Sequence, residues 1–156
     1  MASKKKTLKG KTVVLTRSRE GNEVSRALFE DAGARVLEIP LIEIEHTHAE
    51  SDECLETISE YDWIVFTSGN GVRGFFGRFF KKFEDIREIG PAKFACVGPA
   101  TEGELKQFHL SVDVSTSGGD AEALARGMME FESLDNLKIL VITGNRNRDT
   151  LVNLLT

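Results

Sequence analysis

The hydrophobic pattern alternates between two kinds of segment along most of the chain. Short runs that are apolar at nearly every position break into small polar residues, and a pattern with helical spacing then follows. Four such runs predict strands: TVVLTR at 12–17, WIVFTSGN at 63–70, KFACVGPAT at 93–101 and KILVITGNRNR at 138–148. Strands that are apolar on both faces and alternate with helices are typical of a parallel sheet covered by helices. The pattern therefore predicts an α/β fold with helices on both faces of a parallel sheet.

The segments between these runs predict helices, because their apolar residues lie three and four positions apart. The helices are expected near residues 22–32, 54–58, 72–80, 100–107, 120–131 and 149–156, with a further short strand at 111–114. Asn22 is the expected cap of the first helix, and Gly33 its expected end.

Three of these helices carry a clear apolar face. The faces comprise Val24, Ala27 and Leu28; Val72, Phe75, Phe76, Phe79 and Phe80; and Ala121, Leu124, Ala125, Met128 and Met129. An apolar face of this kind is core more often than it is a binding surface. We expect Phe75, Phe76 and Phe79 to be largely buried, and Lys81 and Lys82 to lie on the solvent side.

Pro40 interrupts a second extended run, RVLEIPLIEIE at 35–45. Proline cannot donate to a strand ladder, so a domain boundary is expected near residue 40. Residues 1–40 would then comprise a disordered basic tail and the opening β-α-β unit of a first domain. Residues 41–156 would form most of a second domain. Two parallel strands cannot bury a core alone, and no Gly or Pro stop follows the last helix, so we expect both domains to be incomplete.

Composition and charge narrow the class of protein. A formal charge of −5 gives no field that favours nucleic acid or anionic membranes. The lysines at positions 4–6 precede no apolar stretch, so they do not indicate a signal peptide. No run approaches the roughly 18 apolar residues of a membrane helix. Cys54 and Cys96 form no CxxC pair, so we expect free thiols and a soluble cytoplasmic protein.

The loops that follow the strands hold the candidate chemistry, because ligands bind at the carboxyl ends of parallel strands. These loops are rich in Thr, Ser, Gly and Asn and poor in His, Cys and paired carboxylates. None of His46, His48 and His109 is placed beside a nucleophile, so neither a catalytic triad nor a metal site is expected. Arg148 begins a helix in the sequence GNRNR, which favours a carboxylate or a phosphate there. The loops therefore favour an anionic ligand.

One glycine motif leaves an alternative open. GNGVRG at 69–74 matches GxGxxG between a strand and a helix. A dinucleotide site would also need an acidic residue at the end of the next strand, but that strand ends in Cys96, Val97 and Gly98. An NAD(P)- or flavin-binding oxidoreductase domain stays one alternative. A non-catalytic small-anion-binding module is another.

Read in order, the loops resemble those of the uroporphyrinogen-III synthase family. The matching stretches are Thr16-Arg17, IPLIEI at 39–44, FTS at 66–68 with Asn70, VGPAT at 97–101, DAEAL at 120–124, and Gly144-Asn145 with Arg148. The resemblance implies two flavodoxin-like domains joined by a two-stranded connector. The chain would start in the first domain, cross over to build the second and then return. Family members are longer, so the resemblance also implies that the chain is a truncated part.

The resemblance implies an enzyme of tetrapyrrole (haem) biosynthesis. Its reaction cyclises the linear polycarboxylate hydroxymethylbilane to uroporphyrinogen III, with loss of water and inversion of the last pyrrole ring, and needs no cofactor and no metal. The substrate-binding residues would be Thr67, Ser68, Asn70, Gly98, Thr101, Gly144, Asn145 and Arg148, with Thr16 and Arg17 from the other domain. Thr101 is the candidate catalytic hydroxyl, as a positioned donor or water holder.

The resemblance also implies a monomer. The chain taken alone is expected to be inactive, because one side of the cleft would be unfinished. It is also expected to self-associate, because unpaired strand edges recruit other chains.

Overall fold

The computed structural model describes residues 7–43, 51–118, 121–144 and 148–155. These residues belong to two compact units, Met1–His46 and Thr47–Thr156. Pro40 lies in the first of these units, and the predicted division into two incomplete domains stays a prediction. No helix in the described ranges is long and apolar enough to cross a membrane.

The first unit is a single β-α-β element. It comprises β1 (Thr12–Leu15), α1 (Arg19–Asp31) and β2 (Arg35–Glu38). The two strands pair in parallel. Gly33 follows the end of α1 with a φ of 92°, and its N–H donates to the Glu30 carbonyl oxygen at 2.9 Å. Glycine adopts this left-handed conformation without steric cost, so the predicted helix end is confirmed.

Asn22 is not the cap of α1, contrary to the prediction. The helix begins after Ser18, and Asn22 lies within its first turns with a fully buried side chain. Its Nδ2 donates to the Arg17 carbonyl oxygen at 3.1 Å. Asn is a common cap because its side chain bonds to nearby backbone groups, and here it bonds backward to the end of the β1–α1 loop. The residue type indicated a backbone contact but not its position.

The predicted apolar face of α1 does not form a core within the described residues. Val24 is 73% exposed and Leu28 is 66% exposed. Helical spacing identifies which residues share a face, but burial also needs a surface to pack against. Two four-residue strands supply too little of that surface.

The second unit is built on a four-stranded parallel sheet with strand order β5-β4-β3-β6. The unit contains two short helical turns, at Ile58–Glu60 and Ile86–Ile89, in addition to the strands and longer helices of the sheet layers. Its elements are α2 (Ser51–Glu56), β3 (Trp63–Phe66), α3 (Gly69–Lys82), β4 (Lys93–Val97), α4 (Pro99–Gln107), β5 (Val114–Thr116), α5 (Ala121–Phe131), β6 (Ile139–Ile142) and α6 (Arg148–Leu155).

The strand order reverses between β3 and β6. Read in chain order within this unit, the strands lie 3-2-1-4, whereas a flavodoxin-like sheet is ordered 2-1-3-4-5. Ligands of doubly wound sheets bind beside such a reversal, outside the carboxyl ends of the two strands. The topology therefore directs attention to the loops after β3 and β6.

Alternate residues of the central strand β3 face two different cores. Ile64 and Phe66 pack with α3 and α4 on one face of the sheet. Trp63 and Val65 pack with α5 and α6 on the other. All four strand residues are fully buried. The predicted α/β class, with helices on both faces of a parallel sheet, is confirmed.

The strand predicted at 111–114 lies later in the chain, at Val114–Thr116. The Asp113 carboxylate accepts the Phe94 backbone N–H at 2.8 Å, in place of a backbone carbonyl. Leu110 and Val112 pack against the core beside α3 and α4 as part of the connection. Their alternation with polar residues resembled a strand, but the ladder begins only after Asp113.

The aromatic face of α3 is buried as predicted, except at its last position. Phe75, Phe76 and Phe79 are at most 6% exposed, whereas Phe80 is 43% exposed. Met129 holds the equivalent last position of the α5 face and is 51% exposed. A residue eight positions along a helix is rotated by about 80° from the first. Both side chains therefore lie at the edge of the apolar face. Lys81 and Lys82 are exposed, as expected.

Trp63 on β3 is hydrogen-bonded to Glu132, the residue that follows α5. Its Nε1 donates to Glu132 Oε1 at 2.8 Å, and Lys93 Nζ lies 2.8 Å from the same oxygen. The hydrogen bond from Lys93 holds the pKa of the Glu132 carboxyl below its usual range. The ion pair with Lys93 exists only while this carboxyl is ionised.

We expect a Glu132→Gln variant to lose part of the acid sensitivity of folding. Because the pKa is lower in the folded state, the stabilisation is present above the unfolded pKa and lost as pH falls through the folded pKa. The stability gap between wild type and variant should therefore be full above the unfolded pKa of a glutamate, about 4.3, and narrow as pH falls from there through the folded pKa. Urea denaturation followed by Trp63 fluorescence measures it. A gap that stays constant over this range would contradict the role of Glu132.

Candidate functional site

The carboxyl ends of all four strands of the second unit lie at one edge of the sheet. Phe66 pairs with both Cys96 and Ile142, and Val97 pairs with Thr116. The loops that follow these strands therefore start side by side. We call residues 67–71, 98–101 and 143–144 the carboxyl rim.

Thr67 and Ser68 use their side chains to connect the rim. The Thr67 backbone N–H and hydroxyl donate to the Ile142 carbonyl oxygen at 3.1 and 3.3 Å. Ser68 caps α3, and its Oγ accepts the Gly71 N–H at 3.2 Å. A hydroxyl is both a donor and an acceptor, so the Thr67 oxygen can still accept and the Ser68 hydrogen can still be donated. Thr67 and Ser68 can therefore contact a ligand without losing the hydrogen bonds that they make within the rim.

Gly98 and Gly144 leave open space above the rim. Apart from the chain neighbours, no heavy atom of the described residues lies within 4 Å of the position that a Cβ would occupy at either glycine. Gly98 has a φ of 83°, and its N–H already donates to the Thr116 carbonyl oxygen at 3.1 Å. A ligand can therefore approach the backbone closely at both glycines, but the Gly98 N–H is already used within the sheet.

Thr101 is separated from this open surface. It lies in the first turn of α4, and its side chain is only 4% exposed. In this conformation a direct contact between its hydroxyl and the substrate would require that turn to move. The catalytic role of Thr101 stays a prediction.

Two predicted residues of the first unit lie at the equivalent end of β1. Thr16 and Arg17 follow the strand directly, and both are exposed. The Thr16 carbonyl oxygen accepts the Leu41 N–H at 3.0 Å. Of the remaining predicted residues, Asn145 and the side chain of Arg148 lie outside the described residues, and Arg148 is the first residue of α6.

Two glycines of the GxGxxG match, Gly69 and Gly71, have packing roles. A Cβ at Gly69 would lie 3.0 Å from Glu104 Cγ, and one at Gly71 would lie 3.2 Å from Ile142 Cγ2. Glycine therefore lets the start of α3 approach α4 and β6. A carboxylate beside the amino end of a helix also disfavours a phosphate group there. The motif does not indicate a dinucleotide site.

Two rim-side residues were missed by the sequence analysis. Arg73, on the first turns of α3, contacts Asn70 Oδ1 and Glu104 Oε1. Thr143 follows β6, and its hydroxyl oxygen is buried without a hydrogen-bond partner in the part of the chain that the structure describes. Asn70 and Arg73 are three residues apart on a helix, and that spacing could have indicated their contact.

The rim offers hydroxyls, an amide and open backbone. Within the described ranges, no group of three or more His, Cys, Asp or Glu side chains could hold a metal ion. Cys96 is buried at the end of β4, and burial raises the pKa of its thiol to about 11. The thiol is therefore protonated at neutral pH and is a poor nucleophile. This set of groups suits binding and orienting a polar ligand.

Comparisons with known proteins agree with one another. A family model described as uroporphyrinogen-III synthase HemD matches residues 23–156. The porphyrin biosynthesis protein HemD of Ruminiclostridium josui is 31% identical over 153 residues, which cover 97% of this chain and 30% of that protein. The uroporphyrinogen-III synthase of Synechococcus elongatus is 30% identical over 94 residues, which cover 59% of this chain and 35% of that protein.

A solved structure shares the fold. The crystal structure of wild-type uroporphyrinogen III synthase from Thermus thermophilus matches with a TM-score of 0.55 and 19% identity, covering 94% of this chain and 56% of that chain. The chain thus spans between 30% and 56% of the length of these three proteins. Since the family model matches most of its residues, the chain belongs to the uroporphyrinogen-III synthase family.

Proposed function

We propose that the natural protein containing this chain cyclises hydroxymethylbilane to uroporphyrinogen III in the cytoplasm, with loss of water and inversion of the last pyrrole ring. The observation that carries the proposal is the family match over residues 23–156. The carboxyl rim supports it, because its open backbone and hydroxyls suit a large polycarboxylate ligand. An oxidoreductase is not favoured, since the glycines at 69 and 71 serve packing.

The proposed cyclisation does not require a strong general base. A pyrrole nitrogen lone pair expels hydroxide from hydroxymethylbilane and leaves a reactive azafulvene. The substrate also closes spontaneously in water without inversion, so the enzyme must mainly impose a geometry. Such catalysis is positional, with electrostatic stabilisation of the departing hydroxide. A rim that has hydroxyl and amide groups, together with a protonated Cys96, is consistent with this requirement.

In this proposal the rim residues bind the substrate. Thr67, Ser68 and Asn70 supply polar side chains, while Gly98 and Gly144 allow the substrate to approach the backbone. Thr16, Arg17, Asn145 and Arg148 are proposed as further binding residues, and Thr101 as the catalytic hydroxyl. A monomeric natural protein and self-association of the 156-residue chain stay predictions.

The test incubates the natural protein with hydroxymethylbilane and separates the type I and type III isomers after oxidation. We expect type III to predominate for the natural protein. We expect only the spontaneous type I product from the 156-residue chain alone, because inversion requires the flexible tetrapyrrole to be held from both sides. Type I alone from the natural protein would contradict the proposal. Saturable binding of NADH, NADPH or FMN would instead favour the oxidoreductase alternative.

A further inference from the structure

Asn70, Arg73 and Glu104 form a connected polar cluster beside the carboxyl rim. Arg73 Nη2 donates to Asn70 Oδ1 within the first turns of α3. Arg73 Nη1 donates to Glu104 Oε1 on α4. The Arg73 side chain is 49% exposed and that of Glu104 is 21% exposed. The cluster joins the rim residue Asn70 to a second helix.

The contact with Arg73 determines which way the Asn70 amide faces. A guanidinium carries only donors, so it can meet the carbonyl oxygen of the amide but not its NH₂ group. The amide is planar, and its NH₂ therefore projects away from Arg73. Among the described residues none accepts a hydrogen bond from this NH₂ group. Asn70 is partly exposed, so two N–H donors remain available at the rim.

The contact with Glu104 reduces the capacity of Arg73 to bind an anion. The carboxylate compensates the charge of the guanidinium and occupies part of its donor fork, so Arg73 is not a free anion-binding group. Glu104 also packs against Gly69, where a Cβ would lie 3.0 Å from its Cγ. The Glu104 side chain thus lies against the start of α3, and its carboxylate holds Arg73 there.

We propose that Arg73, held by Glu104, is a positioning residue that orients the Asn70 amide so that its NH₂ donates to a substrate carboxylate. The inference rests on the proposed function, since a carboxylate ligand is what the NH₂ group would bind. Arg73 acts through Asn70 and does not itself contact the ligand. Asn70 donates the hydrogen bonds to the ligand, and Arg73 fixes the orientation of the amide that donates them.

The test measures binding of uroporphyrin I, a stable fluorescent octacarboxylate, to the 156-residue chain at low salt. The variants are Asn70→Ala, Arg73→Ala and their combination, with Asn70→Asp as the sharpest substitution. Asp keeps the oxygen that accepts from Arg73 but replaces the NH₂ group by a second, negatively charged oxygen. The matched control is Arg87→Ala. Arg87 is paired with Asp85 before the amino end of β4, away from the rim, and its loss changes the net charge equally.

Each of Asn70→Ala and Arg73→Ala should weaken binding by about tenfold. The double variant should also lose only about tenfold, because both substitutions remove the same hydrogen bonds. Asn70→Asp should bind more weakly than Asn70→Ala, while Arg87→Ala should stay within about twofold of wild type. The urea midpoint of each variant verifies that it is folded.

Three results would overturn the inference. An Asn70→Asp variant that binds like wild type would show that only the contact with Arg73 matters. Additive losses, about a hundredfold in the double variant, would show that Arg73 contacts the ligand directly. In both cases the proposed function would stand. No saturable binding by the wild-type chain would overturn the carboxylate as ligand together with the inference, and the isomer assay tests the function separately.

Discussion

Replacing Phe76 with alanine is expected to lower the free energy of unfolding of the second unit by about 3–5 kcal/mol. The side chain is fully buried. Its ring centroid lies 4.3 Å from that of Phe108 and 5.1 Å from that of Phe75. Truncation removes the buried ring and leaves a cavity that the surrounding aromatic residues can only partly fill.

Phe80→Ala is the matched control for this prediction. Phe80 lies on the same helix, but it is 43% exposed, so the loss should be less than half as large. Urea denaturation followed by Trp63 fluorescence measures both variants, since Trp63 is the only tryptophan of the chain and is fully buried in the second unit. Equal losses for the two variants would contradict the assignment of Phe76 to the core.

Gly90→Ala is expected to destabilise the second unit by about 3 kcal/mol. Gly90 ends the short helix Ile86–Ile89 with φ 80° and ψ −160°, a conformation that is almost restricted to glycine. A Cβ would also lie 2.9 Å from Ser59 Cα and 3.1 Å from the Ser59 carbonyl oxygen. Both neighbours are backbone atoms, so neither can rotate away.

Gly77→Ala should change stability in the opposite direction. Gly77 lies within α3, and outside the backbone of that helix no heavy atom in the described ranges lies within 4 Å of its Cβ position. Alanine is preferred over glycine in a helix interior by about 1 kcal/mol. The same urea assay compares the two variants with wild type. A Gly90→Ala protein as stable as wild type would exclude the close approach to Ser59, and a destabilised Gly77→Ala protein would exclude the open space beside α3.

The local pattern of the sequence predicts most elements because it reflects local rules. Runs such as WIVF at 63–66 are apolar at every position, which is typical of a strand buried on both faces. The spacing from Val72 to Phe79 specifies one face of a helix. These features depend on neighbouring residues only, so no knowledge of the fold is needed to recognise them.

Burial at the margins of those elements depends on what packs against them. Phe80 and Met129 continue an apolar spacing, but they are 43% and 51% exposed because they lie at the edge of their faces. Val24 satisfies helical spacing and is 73% exposed. The start of β5 shifts because the Asp113 side chain takes a hydrogen bond of the ladder. Helix geometry places Phe80 and Met129 at these edges, whereas the exposure of Val24 and the start of β5 depend on groups that are distant in sequence.

In the candidate site, too, some features follow from local sequence and others from packing. Short-range pattern and residue type are enough to predict the α/β class, the loops after the strands and the polar residues that those loops carry. The burial of Thr101 and the hydrogen bond from the Thr67 hydroxyl to Ile142 depend instead on how distant elements pack. The same packing brings Glu104 of α4 to Arg73. These hydrogen-bond partners lie on other strands and helices, and their positions are set by how the whole sheet packs.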